Sequence, residues 1–260
     1  MKKTFNGLLR VTMRPLYFII VILCIVILCI ASCRSINTTA LNLELPRQAV
    51  VFSFDDSPNT VGDTTARVLD MLRKYDIQAM FCLLGVNVEN APALVRRIYD
   101  EGHIIVNHGY SDKWAYHMTN NEFRDNLLKG DAAINAALGH DNRPRLYRPH
   151  GGYYRPSHEK ILRDEGYTVV SCNIRAYDAV LTKSDQDRIV RDIVGKIKKQ
   201  GSGIILLHDA RDSHERMEKN LEKQPNGAFD RSWIPDTAET IIVHLLENGY
   251  IFEKPVYAQK

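Results

Sequence analysis

Along most of this chain, short runs of consecutive apolar residues alternate with stretches in which apolar side chains return every three or four positions. The first pattern predicts buried strands at 50–54, 79–84, 103–106, 145–147, 168–172, 203–207 and 250–252. The second predicts helices at 64–75, 92–100, 120–138, 157–165, 185–199 and 236–247, with Gly102 stopping the second of them. Repeated strand-helix units of this length predict an α/β fold whose parallel sheet closes, or nearly closes, into a barrel. Two connections stand out: 111–119, with Trp114, Tyr116 and His117, and 210–235, with His214, Phe229 and Trp233. The second is long for a structureless loop. Aromatic rings there suit the flat faces of sugars, and they equally suit pinning a loop to the body.

The N-terminal 33 residues break the pattern. Lys2, Lys3, Arg10 and Arg14 precede an uninterrupted apolar run from Leu16 to Ala31. That is export-signal architecture, and the run is short of the ~20 apolar residues a spanning helix needs. It ends in Ile30-Ala31-Ser32-Cys33, which resembles a bacterial lipobox and implies cleavage before Cys33 and acylation of that residue; an uncleaved signal anchor is the alternative. The expected organisation is a signal and anchor at 1–33, a polar tether at 34–45, and one catalytic domain at 46–260, exported and membrane-attached.

At 260 residues, 45% hydrophobic and 25% charged, the chain is long enough for one large core. Its 34 basic and 31 acidic residues are mixed along the chain, so no basic stripe of the kind nucleic acids require is present. Gly-rich phosphate loops are absent, which argues against nucleotide, flavin and nicotinamide cofactors. Of the cysteines beyond Cys33, Cys82 and Cys172 lie in strand-like stretches as small buried hydrophobes, and spacing alone does not establish a disulfide between them.

Five segments carry chemistry: Ser53-Phe54-Asp55-Asp56, His108-Gly109-Tyr110-Ser111-Asp112, Arg148-Pro149-His150-Gly151-Gly152, Tyr177-Asp178 and Leu206-Leu207-His208-Asp209. Each sits near a predicted strand end, where the loops of a parallel barrel converge on one face. Two adjacent carboxylates, Asp55 and Asp56, make sense as one general base and one metal ligand; alone such a pair is more often a helix-capping turn. His108 and Asp112 stand four apart, a spacing that brings side chains together on a helical turn, and with an Asp they make a three-ligand site. His208 is placed to exchange a proton near neutrality, or to pair with neighbouring Asp209.

Taken in order, these segments resemble the polysaccharide deacetylase family, carbohydrate esterase family four, over roughly 50–252. The resemblance implies a distorted (β/α) barrel and metal-dependent hydrolysis of N-acetyl, sometimes O-acetyl, groups on a cell-wall or exported polysaccharide. It implies Asp55 as base, Arg148 orienting it, His208 as acid tuned by Asp178, and Asp56 and His108 as metal ligands. The implied cofactor is one divalent ion. A water deprotonated by Asp55 would attack the acetamide carbon while His208 protonates the departing amine. Three departures are visible. Asp112 stands where the family has a second histidine, which makes Asp112 the expected third ligand ahead of His117; zinc remains the expected ion, with harder manganese, cobalt or magnesium drawn in by the extra oxygen donor. His150 and Gly151 replace a proline and a tyrosine, leaving Gly151 to supply the oxyanion N–H and His150 as a polar contact. Cys172, Arg175 and Ala179 replace tryptophan, aspartate and tryptophan in the substrate wall. A non-catalytic carbohydrate-binding lipoprotein, or a hydrolase of a non-sugar amide, are the alternatives.

Overall fold

Every residue of β1, Ala49–Ser57, is buried, and the rest of the sheet is laid out around this strand. Its alternation sorts two cores. Val50, Phe52 and Phe54 face the outer layer of helices, while Val51 joins Met80, Cys82, Val106, Leu146 and Leu206 inside the curl of the sheet. The computed structural model describes residues 34–35, 45–225 and 227–255; the expected anchor, Cys33 and most of the tether lie outside them. Among the described residues no helix is long and apolar enough to cross a membrane.

The main sheet consists of β1, β2 (Met80–Leu83), β3 (Ile104–Asn107), β4 (Leu146–Tyr147), β5 (Thr168–Val169), β6 (Ile174–Arg175), β7 (Gly203–His208) and β8 (Ile251–Phe252). Their order is β5-β4-β3-β2-β1-β7-β6, all pairs parallel, with β8 beside the first residues of β1. Of the expected strand at 168–172 only Thr168–Val169 forms, at one edge of the sheet, and β6, at the other edge, lies beyond it. The chain passes from one edge to the other across 170–173, so the curl is closed by an irregular segment rather than by a ladder. Val170 N still donates to Tyr147 O (2.9 Å) and Asn173 N to Ile204 O (3.2 Å), which satisfies the crossing backbone.

Helices α1 (Thr64–Lys74), α2 (Gly85–Asn90), α3 (Pro92–Asp100), α4 (Asn120–Leu138), α5 (Pro156–Asp164), α6 (Gln186–Gln200), α7 (His214–Lys223) and α8 (Ile234–Glu247) connect the strands. In α6, Ile189, Ile193 and Ile197 repeat every four residues on the buried face, and left-handed Gly201 (φ 86°) ends the helix. A capping box between Thr119 and Glu122 starts α4. Two helices were not foreseen: α2, a short turn in an apolar context, and α7, which lies inside what reads as a long loop. The latter accounts for the length of that connection.

Helix α4 runs close to the turn after β3. A Cβ on Gly130 would meet Asn107 Oδ1 at 2.6 Å and the Gly109 carbonyl carbon and oxygen at 2.8 and 2.9 Å, whereas a Cβ on Gly195 of α6 meets nothing within 4 Å. On helix propensity alone Gly→Ala stabilises by about 0.5–1 kcal/mol. We therefore expect Gly195→Ala to raise the urea midpoint and Gly130→Ala to lower stability by about 1–3 kcal/mol, since backbone must move to admit the methyl group. A stabilised Gly130→Ala protein would refute the close approach.

Candidate active site and metal centre

The parallel register brings the five segments to one end of the sheet. Asp55 lies opposite Cys82 on β2 and His208 on β7. His108 N continues the ladder by donating to Leu83 O (2.9 Å), and Arg148 N donates to Asn107 O (3.0 Å). The residues just beyond β1, β3, β4 and β7 thus share a rim.

On β1 the alternation puts Asp55 on the inner face with Ser53. Asp56 then adopts a left-handed backbone (φ 69°), and the pairing with β2 shifts register between Asp55 and Ser57. This bulge turns both carboxylates toward one site, which a regular strand cannot do. Asn87, buried on α2, holds the strained residue: its Nδ2 donates to Asp56 O and to Asp212 O (2.9 Å each), and its Oδ1 accepts from His214 N (2.9 Å). Asp209, beside His208 in sequence, turns the other way and accepts from the hydroxyls of Ser57 and Thr65. It does not pair with His208; burial pushes its carboxyl up to about 6 despite those donors.

Asp56, His108 and His150 form a cluster whose ligand-type atoms lie within 4.8 Å of one another. His108 Nε2 is 3.5 Å and His150 Nδ1 3.4 Å from Asp56 Oδ1. His108 Nδ1 faces Arg148 O at 2.7 Å, which fixes the tautomer that leaves Nε2 as a lone-pair donor. Asp56 Oδ1 and His150 Nδ1 are buried without a hydrogen-bond partner. Two orphaned atoms, with His108 Nε2 facing the same carboxylate from a third element, fit a divalent cation. Burial drives His108 toward the neutral form a ligand needs. Burial opposes ionisation of Asp56, and the imidazoles of His150, His208 and His108 overcome it, holding its carboxyl well below the usual range.

Asp112 stands outside this cluster. The i, i+4 argument required a helical turn after His108, but Gly109 is at φ 91° and the chain leaves the strand in an open bend. Asp112 Oδ2 accepts instead from Arg216 Nη1 (3.0 Å), which also reaches Asp212 at 2.5 Å. His117 is exposed, 5.8 Å from the Trp114 ring. The structure therefore brings His150, read from sequence as a polar contact, to the position expected of Asp112.

Arg148 is fully buried and donates through Nη1 to Asp55 Oδ1 (2.6 Å) and Ser53 Oγ (2.9 Å), and through Nη2 to Ser171 O (2.9 Å). Burial disfavours the Asp55 carboxylate, but Arg148, then His108 and His208, bring it below its ordinary value. Across the rim, His208 Nδ1 is 3.0 Å from Asp178 Oδ1, and Asp178 Oδ2 accepts from His208 N (2.8 Å) and from Arg231 Nη2 (2.6 Å). Burial opposes the protonated imidazole, and Asp178 more than reverses this, raising His208 to about 9. Arg231 and Asn87 were not foreseen; nothing local marks either, since their partners are far away in sequence. Cys82 and Cys172 are buried thiols beneath Arg148, pushed up by burial (Cys172 to about 11) and so unreactive.

These groups line one cleft of about 520 Å³, walled by Trp114, Tyr153, Tyr177, Val180 and Phe229. Gly151 is at φ 76°, and a Cβ there would lie 2.8 Å from the Trp114 indole. Trp114 thus fills the space a larger residue at 151 would need.

A family model described as polysaccharide deacetylase matches residues 42–170. The chain is similar to a peptidoglycan-N-acetylglucosamine deacetylase of Bacillus cereus, 29% identical over 203 residues, 78% of this chain and 84% of that protein. It is also similar to a chitooligosaccharide deacetylase of Bradyrhizobium sp., 30% identical over 162 residues, 62% of this chain and 71% of that protein. It spans 57% and 60% of two further Bacillus cereus deacetylases. Among solved structures, a family 4 acetyl xylan esterase from Clostridium thermocellum in complex with a cobalt ion has a TM-score of 0.62 at 26% identity, covering 79% of this chain and 87% of that one. Fold, site order and similarity agree: the chain is a deacetylase-type hydrolase belonging to the polysaccharide deacetylase family.

Proposed function

We propose that this chain removes N-acetyl groups, and by the same chemistry O-acetyl groups, from a cell-wall or exported polysaccharide, using one divalent ion held by Asp56, His108 and His150. The observation that carries this reading is the convergence in one cleft of a carboxylate oriented by a buried arginine, an imidazole paired with a buried carboxylate, and the orphaned donor atoms between them. With two imidazoles and one carboxylate, the case for a harder ion that Asp112 suggested falls away, and zinc fits best. A cation held there supplies Lewis acidity toward the acetyl carbonyl and makes water easier to deprotonate. Asp55, aimed by Arg148, takes the proton from the attacking water. His208 enters protonated and gives its proton to the departing amine. Gly151 N–H, at the cleft beside His150, serves the developing oxyanion.

The charged and apolar N-terminal sequence supports an exported protein attached to a membrane through Cys33, with the domain facing the periplasm or cell exterior. Relatives named for peptidoglycan and chitooligosaccharide deacetylation support an N-acetylated glycan as substrate.

Two measurements test this reading. His150→Ala is expected to weaken cobalt or zinc affinity by more than about 100-fold, beyond the range typical of losing an outer partner, while Asp112→Asn keeps the ion. Elemental analysis and chelator competition on both variants check it, and the reverse pattern would restore Asp112 as ligand. The second concerns pH. His208 is raised, so its proton is present at neutrality and lost as pH rises through about 9. Asp178→Asn lowers that value, so the alkaline limb of kcat/KM for acetate release must move to lower pH; an unmoved limb removes His208 as the acid. Because Arg231 loses a buried partner, the variant is also expected to be less stable by about 3–5 kcal/mol in urea.

A further inference from the structure

A two-residue ladder outside the main sheet ties the start of the tether to the mouth of the cleft. Arg34–Ser35 pairs antiparallel with Tyr153–Tyr154, Ser35 opposite Tyr153 and Arg34 opposite Tyr154. Tyr154 is buried among Phe123 and Leu127 of α4 and Leu162 of α5, so the strand that receives the tether is fixed to the body. Tyr153, its neighbour, lines the cleft. Cys33 directly precedes Arg34, and consecutive Cα atoms are about 3.8 Å apart, so whatever Cys33 carries is delivered beside this rim.

The rim itself is apolar and uncovered. Among the described residues seven large apolar or aromatic side chains stand well exposed, and four of them, Trp114, Tyr153, Tyr177 and Val180, line this one cleft at 44–66% exposure. Scattered singly such residues need no explanation; gathered at one mouth they mark a surface that meets another apolar one. Tyr177 presents its ring from a left-handed backbone (φ 56°), a conformation unfavourable for a bulky residue. The acidic groups that flank Trp114 in sequence, Asp112 and Glu122, are paired with Arg216 and Lys113. Neither leaves an unpaired negative charge to repel an anionic surface.

Resting on the proposed acylation of Cys33, we propose that the aromatic rim of the cleft sits against the lipid surface that carries the anchor, so that the cleft opens at the membrane. An acyl group on a free tether would let the domain turn in any direction. The ladder removes that freedom, because it holds the attachment point one residue from the strand that bears Tyr153. Tryptophan and tyrosine suit the boundary: the ring enters the apolar layer while its N–H or O–H stays with headgroups and water. One acyl chain alone gives marginal binding, and a second contact with the bilayer makes attachment stable. A sugar platform would use the same rings, yet it gives no reason for the chain next to the anchor to be paired at this strand.

The test uses native fluorescence. The sequence holds two tryptophans, and Trp233 is buried, so Trp114 reports on the rim. The full chain is purified from membranes, its mass is measured for acylation, and it is reconstituted into phosphatidylcholine and phosphatidylglycerol vesicles with plain or brominated acyl chains. Rings at the interface lie within about 5–10 Å of the headgroup and acyl boundary, where bromine near the headgroup end of the chain reaches them. The expected result is an acylated chain whose emission is quenched by the brominated vesicles, with the quenching lost in Trp114→Phe. An acylated, vesicle-bound chain whose Trp114 emission bromine leaves unchanged overturns the proposal and leaves the anchor in place. A chain that carries no acyl group ends the anchoring reading and the proposal with it, while acetate release by the same preparation tests the deacetylase chemistry separately.

Discussion

Successive residues of a strand face opposite ways, so a strand that offers two neighbouring carboxylates to one site has to break its own alternation. Here the break is the left-handed Asp56 in the last turn of the central strand, and the active site depends on it. A non-glycine residue held in that region costs about 1–3 kcal/mol, and the surroundings have to over-determine it. Asn87 does so from one side by holding the Asp56 carbonyl, and Asp209 does so from the other by holding Ser57 and Thr65. With the break in place, Asp55 stays on the inner face against Arg148 while Asp56 swings to the imidazoles. Each carboxylate gains its own cationic neighbours, which is why two adjacent acids can both remain ionised in a buried place.

The arrangement also shows how an imidazole from the third segment reaches the Asp56 carboxylate. His108 is fixed by the Arg148 carbonyl, so the backbone of the third segment already touches the site through this imidazole. A side chain two residues beyond Arg148 therefore starts close to the Asp56 carboxylate. The chain is extended at Pro149 and left-handed at Gly151, a path that aims His150 inward. Trp114 occupies the room left by glycine at 151. The histidine at 150, the glycine at 151 and the aspartate at 112 read as three separate oddities in the sequence, but in space they are one substitution: the imidazole arrives from the third segment, and the carboxylate left at 112 is free to tie the loop after β3 to α7 through Arg216.

The strand-helix rhythm and the convergence of Asp55, Arg148, Asp178 and His208 were legible in the sequence, because periodicity and strand ends are local properties. Asp112 lies outside the Asp56–His108–His150 cluster because i, i+4 spacing brings side chains together only on a helix, and a glycine at φ 91° directly after His108 removes that premise. Helix α7 was hidden because its polar sequence, His214–Lys223, buries only Met217 and leaves little periodic signal. Asn87 and Arg231 carry no local signal: each acts through partners more than about twenty positions away, and only the fold brings those together. The strand expected at 168–172 stops at Val169, with β6 following outside it, because an apolar run does not reveal where a curled sheet stops pairing.

The segment between β7 and α8 joins chemistry to recognition. Arg231 donates to Asp178 and to the His208 carbonyl, so the His208–Asp178 pair is held from this segment. Arg211, Arg216 and Phe229 of the same segment form part of the cleft wall. At its start, Asn87 ties the Asp212 carbonyl and the first amide of α7 to the strained Asp56. A ligand that pulls on this wall therefore acts on three parts of the cleft at once: His208 through Arg231, Asp56 through Asn87, and the loop after β3 through Arg216. In a site so connected, the groups that read the substrate cannot be altered without some effect on the groups that transform it, and binding energy gathered at the rim has a continuous hydrogen-bonded route to the reacting centre.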